Sequence, residues 1–469
     1  MNWTNLIFIY QPPTQKDEIL KKVIEESYIP LFNVIKNNKN AKINLVINAG
    51  LTETLYKLGY TGLLDTISQL SLQGQIEFID TPAYQAFLPM LPKKEIERQI
   101  LLNRKINKMY FKNYEPLGFL PTAMAYDQKS FDVIKNIRLE SSGYKYILLD
   151  ETAINGKIDH SCIYKNDGLD IFIRDRASSF YILTAQMEKK EDLISSFENK
   201  IKNGEFLYTG EDGETFGHQR IGYIKMFEYL YNQKSLHYIL FKDLIIKIKK
   251  RFDIKPNQST WTVPLYNEQN SFERWMSKDN KIHQLQQRLL NLAFKSVYNS
   301  IYQIEDPYIV DIDYTYLQER EKTWLKARYL LDQSLYHDQF FFASAKPVWD
   351  IEMIERGAYN LSVVIDLVPD TEKSDKDKGR SYYEDIILTA IAWEREGKIK
   401  KLSSQFFLDE RNKEISNKKA DPNGYDKAIK RLEKEMYNAS KNREYDIADK
   451  LKTRIEEIKQ EKLNLGNKN

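Results

Sequence analysis

Cysteine is almost absent: Cys162 is the only one in 469 residues. That excludes an internal disulfide and any metal site built from cysteines. Histidine is scarce too, 5 in all and widely spread, so a zinc site has no ligand cluster to build on. Breakers are few, with 18 glycines and 14 prolines, below the average shares of about 7% and 5%, and long elements are expected. Neither sign of charge dominates: 70 Lys and Arg against 67 Asp and Glu give +3. Phosphate binding normally leaves a clear basic surplus, so nucleic acid is not expected as a partner. No apolar run reaches the roughly 20 residues that cross a bilayer. Residues 1–10 are uncharged and run straight into Gln11-Pro12-Pro13, unlike a signal peptide. A cytoplasmic protein without a membrane partner is expected, and no cofactor is implied.

What is present fits a folded globular chain. Hydrophobic residues make up 42% and charged residues 29%, close to the globular norm and outside the disordered regime. The length allows one large domain or a few ordinary ones around a substantial core. Aromatics are abundant at 13%. Codon usage in an AT-rich genome accounts for that excess as well as a site for flat ligands does, so only the positions of aromatics carry meaning.

Seven short apolar runs recur in the first half: 5–10 (NLIFIY), 43–49 (INLVINA), 75–80 (QIEFID), 116–121 (PLGFLP), 145–150 (KYILLD), 170–174 (DIFIR) and 205–210 (EFLYTG). They are continuous rather than alternating, as parallel strands covered on both faces require. Helical patterns at 16–36, 52–72, 93–112, 129–139 and 179–202 separate most of them. The alternation predicts an α/β fold. The count, with no Gly-rich first turn, favours a closed seven-stranded β/α barrel over a doubly wound sheet. From 221 to 366 the pattern is helical, with no further strand-and-helix alternation before 361–367. Residues 370–380 read as an exposed charged loop and 381–397 as a helix carrying Trp393. The expected domains are a barrel over 1–220, a helical extension over 221–400, a linker over 401–424 and a small helical hairpin over 425–463. Barrel chemistry sits at the C-terminal strand ends, which here carry Tyr10-Gln11, Asn48, Asp80, Thr122-Ala123, Asp150-Glu151, Arg174-Asp175 and Glu211-Asp212. Such a polar rim occurs in any soluble barrel, so it needs a motif to become a site.

The densest chemistry is 211–218 (EDGETFGH), directly after the seventh run. Its carboxylates and histidine suit general acid work, whereas a calcium loop needs a longer alternating pattern. Alone, Asp-Gly-Glu before a helix is also ordinary N-cap chemistry. Four further peptides accompany it in order: 10–12 (YQP), 75–91 (QIEFIDTPAYQAFLPML), 118–126 (GFLPTAMAY) and 336–358 (YHDQFFFASAKPVWDIEMIERGA). Together they resemble the five regions of glycoside hydrolase family 57, over about residues 1–400. That family holds α-amylases, 4-α-glucanotransferases and branching enzymes on a seven-stranded barrel. The resemblance implies such a barrel and an α-glucan or maltooligosaccharide ligand.

Enzymes of the family retain configuration, which takes two carboxyls about 5–5.5 Å apart, one nucleophile and one acid/base. The resemblance places the acid/base on Asp212. It places the nucleophile, a Glu within a Pro-Glu-Met-Ala-type peptide, on Ala123, and a methyl group cannot attack an anomeric carbon. Tyr10 and Gln85 stand where the family has histidines lining the sugar site. Impaired catalysis is therefore expected, with sugar binding carried by Tyr10, Gln11, Gln85, Glu214, His218, Asp338 and Trp349. Enzyme activity stays open at this point, because inversion tolerates carboxyls roughly 6.5–9.5 Å apart. Asp80, Asp150 or Glu151 could then partner Asp212, whereas the chain path carries Asp127 away. Most aromatics of the matched regions belong to the core; Trp349, one of Phe340, Phe341 and Phe342, and Phe216 fall where a cleft is expected. Arg174 is expected to pair with Asp150.

The segment 425–462 has two apolar stripes at helical spacing: Ile429, Leu432, Met436 and Ala439, then Ile447, Ala448, Leu451, Ile455 and Ile458. An antiparallel helical hairpin turning near Asn442-Arg443 is the natural solution. Leu432, Met436, Ala439, Tyr445-Asp446, Ala448 and Leu451 resemble the UVR motif, with Lys452-Thr453 in place of the usual Arg-Asp. The resemblance implies contact with another helical hairpin, by a protein partner or by self-association through 425–463. A generic coiled-coil end that dimerises the chain fits the same pattern, since so short a hairpin is marginal alone. Three functions follow: an impaired α-glucan-binding relative, an active hydrolase or transferase with a non-standard second carboxylate, and an interaction scaffold without sugar binding.

Overall fold

The computed structural model describes residues 1–139, 143–187, 190–202, 204–262, 272–304 and 314–406. Of the C-terminal segment it describes 429–430, 432–434, 436–437, 440–441, 445, 448–449, 451–453, 455–456 and 459. Two compact units form, Met1–Glu396 and Gly397–Asn469. Among the described residues no helix is long and apolar enough to cross a membrane.

Each of the seven apolar runs becomes a strand: β1 (Asn2–Ile9), β2 (Ile43–Ile47), β3 (Ile76–Ile79), β4 (Gly118–Phe119), β5 (Tyr146–Asp150), then β7 and β8. The sequence pattern missed β6 (Ile163–Asn166), which precedes β7 (Leu169–Arg174), and, after β8 (Phe206–Asp212), β9 (His237–Tyr238) and β10 (Arg251–Asp253). After β1 come α1 (Asp17–Val23) and α2 (Ile29–Asn37), joined by a π-helical turn at Ile24–Tyr28. After β2 come α3 (Ala49–Lys57) and α4 (Thr61–Leu72); α5 (Lys93–Tyr110) and α6 (Gln128–Asn136) follow β3 and β4. Next are α7 (Arg176–Thr184), α8 (Lys190–Lys200), α9 (Ile224–Tyr231) and α10 (Phe241–Lys247). The rest of the first unit is helical: α11 (Glu273–Met276), α12 (Lys281–Asn299), α13 (Glu319–Gln333), α14 (Asp338–Phe342), α15 (Ile351–Leu367) and α16 (Lys373–Arg395).

The ladder is not the closed seven-stranded ring expected. Among the described residues it divides into two sheets, β3-β2-β1-β8 with β9 also on β1, and β10-β6-β7-β5-β4. Pairing is parallel except between β6 and β7. The sheets touch at both margins, through a parallel bridge from Asp80 to Phe119 and through Asp175 N–H donating to Tyr208 O at 2.8 Å. Both interruptions have a local cause. Pro116 and Pro121 flank β4 and have no N–H to donate, and Asp175 already caps α7 by accepting from Ser178 N–H. Alternating strand residues serve two cores, as a period of two requires. Leu6, Val46, Leu148, Phe172 and Tyr208 meet in one cluster; Ile7, Leu45, Ile47 and Leu207 meet the helices in the other.

Three expectations change in the C-terminal half. Residues 370–380 are mostly not a loop: α16 starts at Lys373, with Lys373, Asp377, Lys378 and Arg380 exposed while Asp375 is buried and Gly379 turns inward, where a Cβ would lie 2.9 Å from Ile365 Cδ1. Residues 361–367 are the last turns of α15. Residues 401–406 are helical rather than linker; 407–424 lie outside the described residues. Of the C-terminal stripes, Ile429, Leu432, Ala448, Leu451 and Ile455 form one buried cluster with Met436 against it. Lys459 pairs with Glu433 at 3.4 Å. Ala439, Asp446, Ile447 and Ile458 lie outside the described residues.

Candidate active site

The site forms where β1, β8 and the α13–α14 turn meet. Asp212 ends β8, and a tight turn at Gly213–Thr215 follows, in which the Asp212 carboxylate accepts from Glu214 N–H at 3.0 Å. A Cβ on Gly213 would lie 2.7 Å from Ile9 Cγ2, so only glycine lets this turn press on β1. The π turn braces the same loops. Ser27 Oγ–H donates to Gly213 O at 3.0 Å and Glu214 O at 3.1 Å, and Tyr28 O–H donates to Tyr10 O at 3.2 Å. The extra residue of a π turn rotates the side chains after it, a device concentrated at functional sites; here it aims Ser27 and Tyr28 at the two loops.

Asp338 comes from the other side. Tyr10 O–H donates to its Oδ2 at 2.5 Å, and His337 Nε2 stands 3.5 Å from its Oδ1. Trp275 Nε1–H donates to His337 Nδ1 at 3.2 Å. An indole N–H can only donate, so Nδ1 accepts and the imidazole proton sits on Nε2, towards Asp338. Burial lowers the His337 pKa, only partly offset by Asp338, which keeps the ring neutral. The backbone joins the parts as well: His337 N–H donates to Gln85 O at 3.1 Å, and Ala86 bridges Tyr336.

Burial pushes both Asp212 and Glu214 well above the ordinary carboxylate range, and the Asp338 charge pushes each further. Asp212 also raises Glu214, while Gln11 and His218 lower it. Like charges this close cannot all ionise, so the cluster holds protons at neutral pH. Burial and the neighbouring carboxylates raise the Tyr10 and Tyr28 hydroxyls far above their usual values, leaving both as neutral donors. A protonated carboxyl beside a carboxylate and phenol donors is an arrangement suited to general acid chemistry.

The loop at 123–124 is strained and carries no carboxyl. Ala123 and Met124 both have positive φ, 55° and 50°, a region costly for residues with a Cβ and concentrated at functional sites. Trp261 N–H holds the Ala123 carbonyl at 3.1 Å, and Thr122 Oγ–H donates to Gln85 Oε1 at 3.1 Å. Position 123 is thus held in a strained loop and carries only a methyl group.

Tyr10, Gln11, Asp212, Glu214 and Asp338 come together. Gln85 joins them through His337, and its Nε2 donates to Thr81 Oγ1 at 3.0 Å. His218 influences Glu214, but its Nδ1 pairs with Glu26 at 2.6 Å. Trp349 has its contacts elsewhere, donating to Glu394 at 2.8 Å with its ring 6.1 Å from Trp393. Phe216 is core, stacked 5.9 Å from Tyr223. Of the three phenylalanines, Phe341 stands beside the site, 6.3 Å from the His337 ring. Asp80 is enclosed by Arg104 at 3.2 Å and by Tyr144 and Asn103, each at 2.6 Å. Asp150 pairs with Arg174, as expected, and with Arg176, both at 3.3 Å. Asp127 caps α6. Glu151 is half-buried and pushed to about 7 by burial and its acidic neighbours. His337 escaped notice although it adjoins Asp338 in sequence, while Tyr28 carried no signal because the π turn sets its direction. Among the described residues no group of three or more His, Cys, Asp or Glu could hold a metal ion.

The glycosyl hydrolase family 57 sequence pattern matches residues 2–255, more than half of the chain. The chain belongs to glycosyl hydrolase family 57. The UvrB/uvrC motif matches residues 426–461. Alpha-amylase 1 of Dictyoglomus thermophilum is 25% identical over 142 residues, which are 30% of this family 57 chain and 20% of that protein. The match thus spans about a fifth of that relative's length. The 4-alpha-glucanotransferase from Thermococcus litoralis has the same fold, with a TM-score of 0.61, 13% identity, and 78% of this chain against 59% of that one covered. A family 57 branching enzyme from Thermococcus kodakaraensis gives a TM-score of 0.60 at 13% identity, covering 82% of this chain and 96% of that one.

Proposed function

We propose that this family 57 chain binds an α-glucan segment at the Tyr10–Asp212–Glu214–Asp338 cluster and cleaves it poorly or not at all. One observation carries the reading: the proton-holding carboxyls are intact while the strained loop offers only the Ala123 methyl group. A glycosidic oxygen next to Asp212 can receive a proton, but no covalent glycosyl intermediate can form at position 123. The names of the relatives, an α-amylase, a glucanotransferase and a branching enzyme, support the ligand class. In this reading the strands in the order β8, β1, β2, β3, β4, β5 and β7 are the seven of the family's barrel, met at two weak margins. The C-terminal segment is read as a hairpin that docks a protein partner or a second copy, supported by its apolar cluster and its motif.

Calorimetry and product analysis with maltooligosaccharides test this together. Binding without product is expected; no binding at all leaves only a scaffold. A second reading rests on Asp338, whose charge reaches both Asp212 and Glu214. With Asp212 as acid and Asp338 as the base for a water, inversion needs no group at position 123. Turnover that disappears in Asp212→Asn and in Asp338→Asn would establish it.

A further inference from the structure

Gln11 belongs to two places. Its side chain reaches Glu214 in the carboxyl cluster, and it also lines a separate open groove of about 440 Å³. That size falls in the range of roughly 300–1,000 Å³ common to small-molecule sites. One wall is the loop after β1 with Pro12, Pro13 and Gln15; the others are α3, Tyr84, and Tyr329 and Gln333 of α13. Its polar centre is Glu53. Tyr84 O–H donates to Glu53 Oε2 at 3.0 Å, and Tyr329 O–H reaches its two oxygens at 3.1 and 3.2 Å. Two tyrosines from different parts of the chain thus orient one half-buried carboxylate towards open space. Gly50 makes this possible, since a Cβ there would lie 2.8 Å from the Tyr84 ring.

The lining selects a chemistry. Asp17 and Glu53 oppose an anion, while Lys57 at the same rim opposes a simple cation. The lining as a whole is an interleaved set of amides, phenols, a hydroxyl and charges of both signs beside flat proline surfaces. Such a set suits vicinal hydroxyls on a ring with apolar faces. We propose that the groove is a second subsite for a neutral glycosyl unit, continuous through Gln11 with the carboxyl cleft, so that one oligosaccharide occupies both. The proposal rests on the α-glucan reading of the cleft.

The test is calorimetry on the full chain with maltotriose and maltoheptaose. The longer ligand is expected to bind about tenfold more tightly, as one further hydrogen-bonded subsite allows. Thr54→Phe, which fills the groove from a partly exposed position of α3, should remove that gain and leave maltotriose affinity unchanged. Glu53→Gln keeps the shape, weakens the acceptor and should remove part of it. Thermal melts establish that both variants are folded. A gain that survives Thr54→Phe, or maltotriose binding with no gain in the parent, overturns the groove alone. No binding of either sugar overturns the cleft and the groove together.

Discussion

At the scale of single residues, Glu211 ties stability to pH. It is 1% accessible, and neither carboxyl oxygen has a hydrogen-bond partner among the described residues. The nearby Thr209 hydroxyl is already given to Asn5 Oδ1 at 2.9 Å. Burial pushes Glu211 from 4.5 to about 8, with Arg174, Thr209 and Asn5 pulling the other way. Between those values the folded chain keeps a proton that the unfolded chain has lost. Stability therefore falls with rising pH across this window, by up to about 1.4 kcal/mol per pH unit. Glu211→Gln should flatten that slope in denaturant titrations from pH 5 to 8, and an unchanged slope would remove Glu211 as its source. Position 123 supplies a second residue-level outcome. Its backbone already carries a Cβ at positive φ, so Ala123→Glu adds a carboxyl without new backbone strain. Reducing-sugar release from maltooligosaccharides should rise about tenfold or more, equivalent to about 1.4 kcal/mol off the barrier; a folded but silent variant would mean that position 123 does not face the bond.

Between elements, α5 and α13 are joined by a buried ionic cluster. Arg328 donates to both Glu95 oxygens at 2.9 and 2.8 Å and to Asp332 at 2.7 Å. Arg98 grips Asp332 at 2.8 and 2.6 Å. Two cations and two anions balance, so removing one strands a buried charge. Arg328→Leu should cost about 3–5 kcal/mol in denaturant unfolding, whereas Glu352, in exposed pairs with Lys16 and Arg356, should cost little on replacement. The strands and most helices of the first half were legible because their apolar residues are buried on regular periods, as in the fully buried β2 and β5. β9 and β10 were not: β10 (RFD) holds a single apolar residue, and β9 lies in a stretch whose pattern reads as helical. In the site, Asp212, Glu214 and Asp338 were legible from their motifs. Tyr28 and the Trp275–His337 pair were not, because a helical bulge and a contact between residues 62 positions apart leave no local trace.

At the scale of the molecule, the carboxyl cluster and the groove lie within Met1–Glu396, and the apolar cluster of the C-terminal segment lies within Gly397–Asn469. A chain ending at residue 396 should keep its melting temperature within about 2 °C and its maltooligosaccharide affinity; loss of either in calorimetry would show that the second unit supports the first. The two sheets carry one more consequence. Among the described residues their margins share the Asp80–Phe119 bridge at one side and the bond from Asp175 N–H to Tyr208 O at the other, while Leu6 and Val46 of one sheet and Leu148 and Phe172 of the other share one apolar cluster. Hydrophobic contact therefore supplies much of what holds the sheets to each other at these margins, an adhesive that weakens on cooling. Chilling should loosen this protein along its margins first, with the amides of Leu120 and Asp175 exchanging early while those inside β1 and β2 stay protected.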